Sequence, residues 1–376
     1  IAFANNDRPG VMLAGAVRAY VNRWSVSPGK STVVFTCNND GWRTARDLIA
    51  AGCTVEAVVD SRPAEEIAAL RDKAGGGGGN QVSADLIPMG APDASPLERL
   101  EENLFRGQSR DIGTKYVFGG QVLGQSLSAA QQTVDNERSV HSVHAYFLRA
   151  GDITAPIVFD VDRARDGHSF SVRRVTAIQH GKPILIFAAS FQKSEPGVEH
   201  QFHLPEVPMP EDIAPQTPPS PEVLSHLSAK MQRWLSRMGP FEMRPVYPRD
   251  ELNPTKRPPY QQVWFRLTQP IGDDINMHRA MLAYASDFYL LGTSTFPHAI
   301  SYYQNNVQMA SLDHALWFHR PFRIDDWLLY DLDSPSAQGA RGLARGNIYD
   351  RNGLLVATVA QEGLIRVLPE AHEDMR

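Results

Sequence analysis

The amino-acid sequence predicts an α+β protein made of two copies of one unit, a helix lying on an antiparallel sheet, behind a small α/β fragment. Three observations predict it. Residues 75–79 are five consecutive glycines, a tract that costs so much backbone entropy to order that it reads as a flexible join. Beyond it, a long helical pattern opening at Gly119-Gly120 is followed by four strand patterns in quick succession. That order then recurs: Tyr146-Phe147-Leu148-Arg149 is answered by Trp317-Phe318-His319-Arg320, and the turn glycines Gly181 and Gly353 stand at almost the same offset.

Taken in order, residues 1–74 have an α/β rhythm. Val11, Ala14, Val17, Val21 and Trp24 share a helical spacing. A β-branched strand at Thr32–Thr36, a turn at Cys37–Gly41, a helix from Trp42 to Ala51 closed by Gly52, and a strand at Val55–Asp60 follow. This is the layout of a dinucleotide-binding half-domain, a Rossmann-like fragment, but Thr36-Cys37-Asn38-Asn39-Asp40-Gly41 stands where Gly-x-Gly-x-x-Gly is required. Residues 75–96 form a Gly/Pro-rich linker, either a natural low-complexity join or a fusion scar.

The first repeat, 97–199, is expected to begin with an amphipathic helix at Leu97–Leu104. A long helix from Gly119-Gly120 through Gln131 follows, then strands at Ser139–Arg149, Ile157–Arg165, Phe170–Gln179 and Ile184–Lys193. Residues 200–258, dense in proline, read as a connection with a helix only at Val223–Arg237. The second repeat, 259–369, gives a strand at Tyr260–Leu267, a helix at Asp274–Leu291, strands at Ser311–Arg320 and Trp327–Ser334, and a hairpin of Ala340–Tyr349 with Leu354–Val367. Two such units, sheets paired and helices covered, point to a double hotdog.

Composition excludes several classes. With 376 residues, 42% hydrophobic and 21% charged, the chain has ample core for two or three domains. A formal net charge of −5 gives no support for nucleic-acid binding or attachment to an anionic membrane. Cys37 and Cys53 are too few for a disulfide framework or a thiolate cluster and fit a reducing compartment. No apolar run approaches the ~20 residues that span a bilayer, and no signal core opens the chain, so a soluble cytoplasmic protein is expected. The chain starts at Ile1, which is not expected to be the translational start, and ends on Asp374-Met375-Arg376 rather than a peroxisomal Ser-Lys-Leu address.

One residue stands out chemically. From Ala280 to Leu291 the only clearly polar side chains are Ser286 and Asp287, so a carboxylate sits in a run that is otherwise apolar all round. Asp287 is either an exposed acid on a narrow wet side or a buried one held by donors, because an unpaired buried charge costs several kcal/mol. Burial would raise its pKa and donors would lower it. The first helix has glutamine and glycine at the corresponding place, so such an acid occurs once in the pair of repeats. No Gly-x-Ser-x-Gly elbow supports a serine hydrolase. His141 and His144, three apart on a strand, face opposite ways, as do the odd-spaced His314 and His319, so all four are read as structural or substrate-lining rather than metal ligands. Arg149 and Arg320 are read as salt-bridged or phosphate-binding.

The words Leu104-Phe105-Arg106-Gly107-Gln108, Val117-Phe118-Gly119-Gly120-Gln121, Val140 to Arg149 and Arg165 to Phe170 are similar to the type II acyl-CoA thioesterase (TesB-like) family. So are Ala285-Ser286-Asp287, Leu312 to Pro321 and Gln361-Glu362-Gly363. The resemblance covers residues 97–368. It implies a catalytic set of an Asp, a hydroxyl residue and a Gln that hold and activate a water, falling on Asp287, Ser311 and Gln361. Ser311 stands where the usual pattern has Thr, which keeps the hydroxyl and loses the methyl that stiffens χ1. Gly119, Gly120 and His141 are candidates for oxyanion or substrate contact, the glycines because they open a helix. No metal or organic cofactor is implied. The words Asn6 to Ala14 and Val34 to Asp40 resemble the α subunit of heterotetrameric sarcosine oxidases, a truncated or fused piece of it rather than a working cofactor site.

The expected function is hydrolysis of acyl-CoA to fatty acid and CoA by a homo-oligomer of double hotdogs, without nucleic-acid or membrane partners. A non-catalytic acyl-CoA-binding hotdog, and a bifunctional protein using a nucleotide site in residues 1–74, are the alternatives.

Overall fold

The computed structural model describes residues 31–36, 39–50, 54–60, 97–215, 232, 240–304 and 306–369. The chain divides into two compact units, Ile1–Ala91 and Pro92–Arg376. In the first, β1 (Ser31–Thr36) pairs in parallel with β2 (Thr54–Asp60), and α1 (Asn39–Ala50) connects them. The helix expected at Val11–Trp24 and the glycine tract lie outside the described residues.

The second unit is built on one antiparallel sheet of thirteen strands. Its first half holds β3 (Glu98–Glu101), β4 (Leu104–Gly107), β5 (Arg138–Phe147), β6 (Ile157–Asp166), β7 (Phe170–Gln179) and β8 (Lys182–Lys193). The second holds β9 (Phe241–Pro245), β10 (Tyr260–Leu267), β11 (Val307–Ser311), β12 (Asp313–Phe318), β13 (Leu328–Gln338), β14 (Arg341–Asp350) and β15 (Leu355–Val367). The spatial order β3-β4-β6-β7-β8-β5-β12-β15-β14-β13-β10-β9 reads alike from either end, and β11 adds to β15. The halves meet where β5 pairs with β12, His144 opposite Ala315. Arg149 and Arg320 obey the same symmetry. Each donates to a backbone carbonyl of the adjoining hairpin, Pro183 O at 2.7 Å and Leu355 O at 2.9 Å.

Period-two burial puts one face of each strand in the core: on β7, Ser171, Arg173, Val175, Ala177 and Gln179 are buried in alternation. Against that face lie α2 (Gly119–Gln131) and α3 (Ile275–Ala285), buried nearly all round and sharing one apolar cluster with the sheet. The two helices run antiparallel: the start of α2 meets the residues just past the end of α3, through Gly120 and Asp287. At the other end Gln131 donates to the carbonyl and side-chain oxygens of Asn276, both at 3.3 Å. A Cβ on Gly120 would lie 2.2 Å from the Tyr284 carbonyl oxygen, so only glycine allows this approach.

Three expectations need correction. Leu97–Leu104 is not a helix: it enters the β3–β4 hairpin, in which Glu98 pairs opposite Arg106 across the turn. Its mix of charged and apolar residues fits an amphipathic helix as well as an edge hairpin, whose outer face is wet. The proline-rich connection contributes a strand, β9, that pairs with β10. The segment before it crosses the outer face of the second half, packing Leu204, Val207, Met209 and Ile213 on Trp264, Trp327 and Tyr349, and Trp264 Nε1–H donates to Pro208 O at 2.9 Å. The helix expected at Val223–Arg237 falls, Gln232 apart, outside the described residues.

The third correction concerns the helix expected over Asp274–Leu291. It stops at Ala285, with Asp274 as N-cap and Ser286 as C-cap, and a short helix, α4 (Leu290–Thr293), follows a turn. Ser286 Oγ–H donates back to Ala283 O at 3.0 Å, a side-chain competitor for the backbone that weakens helices. Tyr289 then adopts a left-handed φ of 63°, which breaks the path. Asp287 therefore sits in the break, not on a helical face.

Replacing Gly120 with Ala should cost about 3 kcal/mol, the upper range for overpacking a tight core contact. Urea unfolding would show it as a lowered midpoint at constant m; an unchanged midpoint would mean the helices do not approach this closely.

Candidate active site

Asp287 is half-buried and collects donors from three elements. Gly120 N–H, in the first turn of α2, donates to Oδ2 at 2.9 Å. Ser311 Oγ–H, at the end of β11, donates to Oδ1 at 3.2 Å, and Gln361 Nε2–H, mid-way along β15, to the same oxygen at 2.6 Å. The helix N-terminus adds its positive dipole end, which favours an anion there. No side chain local to α2 caps it, because its N-cap residue is Phe118, so the carboxylate performs that role from the other half of the chain. A Cβ on Gly119 would stand 2.7 Å from Asp287 Oδ2, so glycine at that position lets the carboxylate in.

A second layer holds Gln361, which is almost wholly buried. Its Nε2 lies 3.2 Å from His314 Nδ1, and His314 Nε2 lies 2.9 Å from Ser286 Oγ. Burial holds the His314 imidazole down to a pKa of about 4, against the pull of the Asp287 carboxylate, so it is neutral near pH 7. Tyr330 O–H donates to Ser286 O at 2.9 Å, and burial together with the Asp287 charge pushes its phenol well above the usual range. Gln361 Oε1 is buried without a protein partner. Next to this cluster, Phe118 stacks on Phe288 at 4.6 Å and meets Tyr284 edge-on at 5.2 Å, an apolar wall beside the acid.

Sequence reasoning named Asp287, Ser311 and Gln361, and the three are in direct contact. Gly119 and Gly120 lie beside them, with the Gly120 N–H spent on the carboxylate rather than left for an oxyanion. His141 is not brought to the cluster. It bonds Ser190 Oγ at 2.8 Å and sits six residues before Phe147, the ring that borders Gly119; at roughly 3.3 Å per strand residue that is about 20 Å away. Sequence reasoning missed the part played by Ser286 and His314. Strand parity puts Ser311 and His314 on opposite faces, but Leu312 lies between two strands, donating to Glu362 O and accepting from Phe147 N–H, and the extra residue turns both side chains inward.

Family models described as acyl-CoA thioesterase N-terminal domain and acyl-CoA thioesterase match residues 107–192 and 234–364. Human acyl-coenzyme A thioesterase 8 is 41% identical over 314 residues, 81% of this chain and 98% of that protein. The chain belongs to the acyl-CoA thioesterase family. A solved structure of an acyl-CoA thioesterase II, TesB2, from Mycobacterium marinum matches this thioesterase at 44% identity with a TM-score of 0.60, covering 73% of this chain and 96% of that one. The double-hotdog reading of the sequence therefore holds. A further relative, the sarcosine oxidase subunit alpha of Rhizobium meliloti, is 56% identical over 64 residues, 17% of this thioesterase chain but only 6% of that subunit.

The buried imidazole has a thermodynamic signature. Between pH 6.5 and about 4 the unfolded chain takes up a proton at His314 that the folded chain refuses, so stability falls as pH is lowered through this window. Urea unfolding of wild type and His314→Asn across that window should show the steeper acid loss in wild type; parallel curves would mean the imidazole is not held neutral.

Proposed function

We propose that this protein hydrolyses acyl-CoA thioesters to a carboxylic acid and CoA, with Asp287 as general base to a water. The observation that carries the reading is the convergence of Gly120 N–H, Ser311 O–H and Gln361 N–H on one carboxylate. Three donors fix the carboxylate in place and leave it acceptor capacity for a water proton.

A thioester carbonyl is already electrophilic and its thiolate leaves well, so the demand on the protein is a positioned water and a donor for the developing oxyanion. Gln361 Oε1 is the free acceptor beside Asp287 and would hold one water hydrogen while Asp287 takes the other. Water oxygen adds to the carbonyl carbon, the C–S bond breaks, and the proton held on Asp287 passes to the products. With Gly120 committed to the carboxylate, the Gly119 N–H at the opening of α2 is the proposed oxyanion donor. No metal or organic cofactor enters these steps.

The proposed setting is a cytoplasmic homo-oligomer acting on acyl-CoA without nucleic-acid or membrane partners. Support for association is an exposed apolar pair on the outer sheet face, Tyr146 opposite Ile186, at 58% and 44% exposure. Among the described residues no helix is long and apolar enough to cross a membrane.

Thiol release from a panel of acyl-CoA lengths tests the activity. Asp287→Ala should lower kcat by about 10²–10⁴-fold, the usual worth of a general base, Ser311→Ala by about tenfold, and Ser311→Thr should stay within about threefold because it keeps the hydroxyl donor. Near-normal turnover by folded Asp287→Ala would sink the assignment of the base.

A further inference from the structure

Along the chain of bonds from Ser286 through His314 to Gln361, each direction follows from one helical carbonyl that can only accept. The single proton of Ser286 Oγ goes to Ala283 O at 3.0 Å, so toward His314 Nε2, 2.9 Å away, Ser286 is the acceptor. The imidazole proton is therefore on Nε2, and Nδ1 is bare. Gln361 Nε2–H donates to that Nδ1 at 3.2 Å, and its second hydrogen goes to Asp287 Oδ1 at 2.6 Å. Both amide hydrogens are claimed, so Oε1 takes the one orientation left, in which it is buried and meets no protein partner. A glutamine amide is nearly symmetric in shape, and only its partners decide which end points where.

We propose that His314 is a positioning residue for the hydrolysis: as the Nε2–H tautomer anchored on Ser286, it locks the Gln361 amide with Oε1 toward the reacting water. This rests on the Asp287-centred reaction proposed above. A bare Nδ1 and the Asp287 carboxylate act as two acceptors set against one NH2 group, and a flipped amide would set Oε1 against both. The titratable groups facing this chain of bonds are Asp287 itself and Tyr330, which donates to Ser286 O. Flanking it, Asp313 accepts from Glu362 N–H at 2.7 Å and the Glu362 carboxylate is paired with Arg341. None of these supplies Gln361 with a replacement acceptor.

The test compares His314→Leu with His314→Asn, since Asn carries Oδ1 near the site of the imidazole Nδ1 and keeps the acceptor. Wild-type thiol release is read first, and its absence would overturn the thioesterase reading itself rather than this proposal. In an active enzyme, His314→Leu should lower kcat by about ten- to a hundredfold, the scale of a misplaced reacting group, with KM within about twofold, and His314→Asn should recover to within about threefold of wild type. Wild-type turnover in His314→Leu, or equal impairment of both variants at wild-type urea midpoints, would overturn the proposal. If His314→Leu does not fold, Ser286→Ala decides: loss of the anchor should lower kcat several-fold at constant KM, and unchanged kcat overturns the idea.

Discussion

The bond from Gly120 N–H to Asp287 joins residues 167 positions apart and makes one carboxylate answer two demands. As a helix cap it satisfies a donor that α2 cannot satisfy locally. As the acid of the candidate site it stands where Ser311 and Gln361 can reach it. A buried carboxylate costs several kcal/mol unless it is hydrogen-bonded, and the close packing of α2 against α3, permitted by Gly120, supplies the dipole and the donor that offset the cost. The first half of the sheet thus contributes only a helix end, yet the side chains of the second half are incomplete without it.

Much of this was legible in the chain itself. Strand limits such as Phe170–Gln179 and Tyr260–Leu267 follow from alternation and turn chemistry, and the oddity of Asp287 follows from the apolar run around it. The stop at Ala285 was not legible, because both helical pieces are buried and hydrophobic periodicity passes over a break made by Ser286 and a left-handed Tyr289. Parity failed likewise at Leu312, where one residue outside the ladder turns His314 toward Gln361. The hairpin at 98–107 was legible in principle: the second half opens with a strand at Tyr260–Leu267, and the repeat demanded a strand at the corresponding place in the first. A local helical pattern prevailed there because short amphipathic edge strands and helices share composition. Ser311 and Gln361 came from family resemblance, since nothing in the sequence around them distinguishes them from other polar residues on strands.

The repeat also explains why the polar cluster forms at one end of the helix pair. Gly120 and Asp287 at one end stand at the same offset as Asn276 and Gln131 at the other, and both pairs are joined by hydrogen bonds. The irregularity at Leu312 likewise has its counterpart near His141, where the register of β5 shifts between Val140 and Ser142. The framework is therefore twofold, and the chemistry is not.

The difference begins at the N-caps. Asp274 caps α3 from within, its side chain accepting from Asn276 N–H at 2.9 Å, whereas the equivalent residue before α2 is Phe118, which cannot accept. At the α3 end the donor is already satisfied, so a carboxylate from α2 would meet a second negative charge instead of a free N–H, and the neutral Gln131 suits the place. At the α2 end the missing local cap leaves an N–H and a helix dipole open to an anion from across the interface, and the aromatic side chain of Phe118 becomes part of the wall beside it. A single exchange of Asp for Phe at a helix N-cap thus separates an end that is merely closed from an end that can hold a half-buried carboxylate.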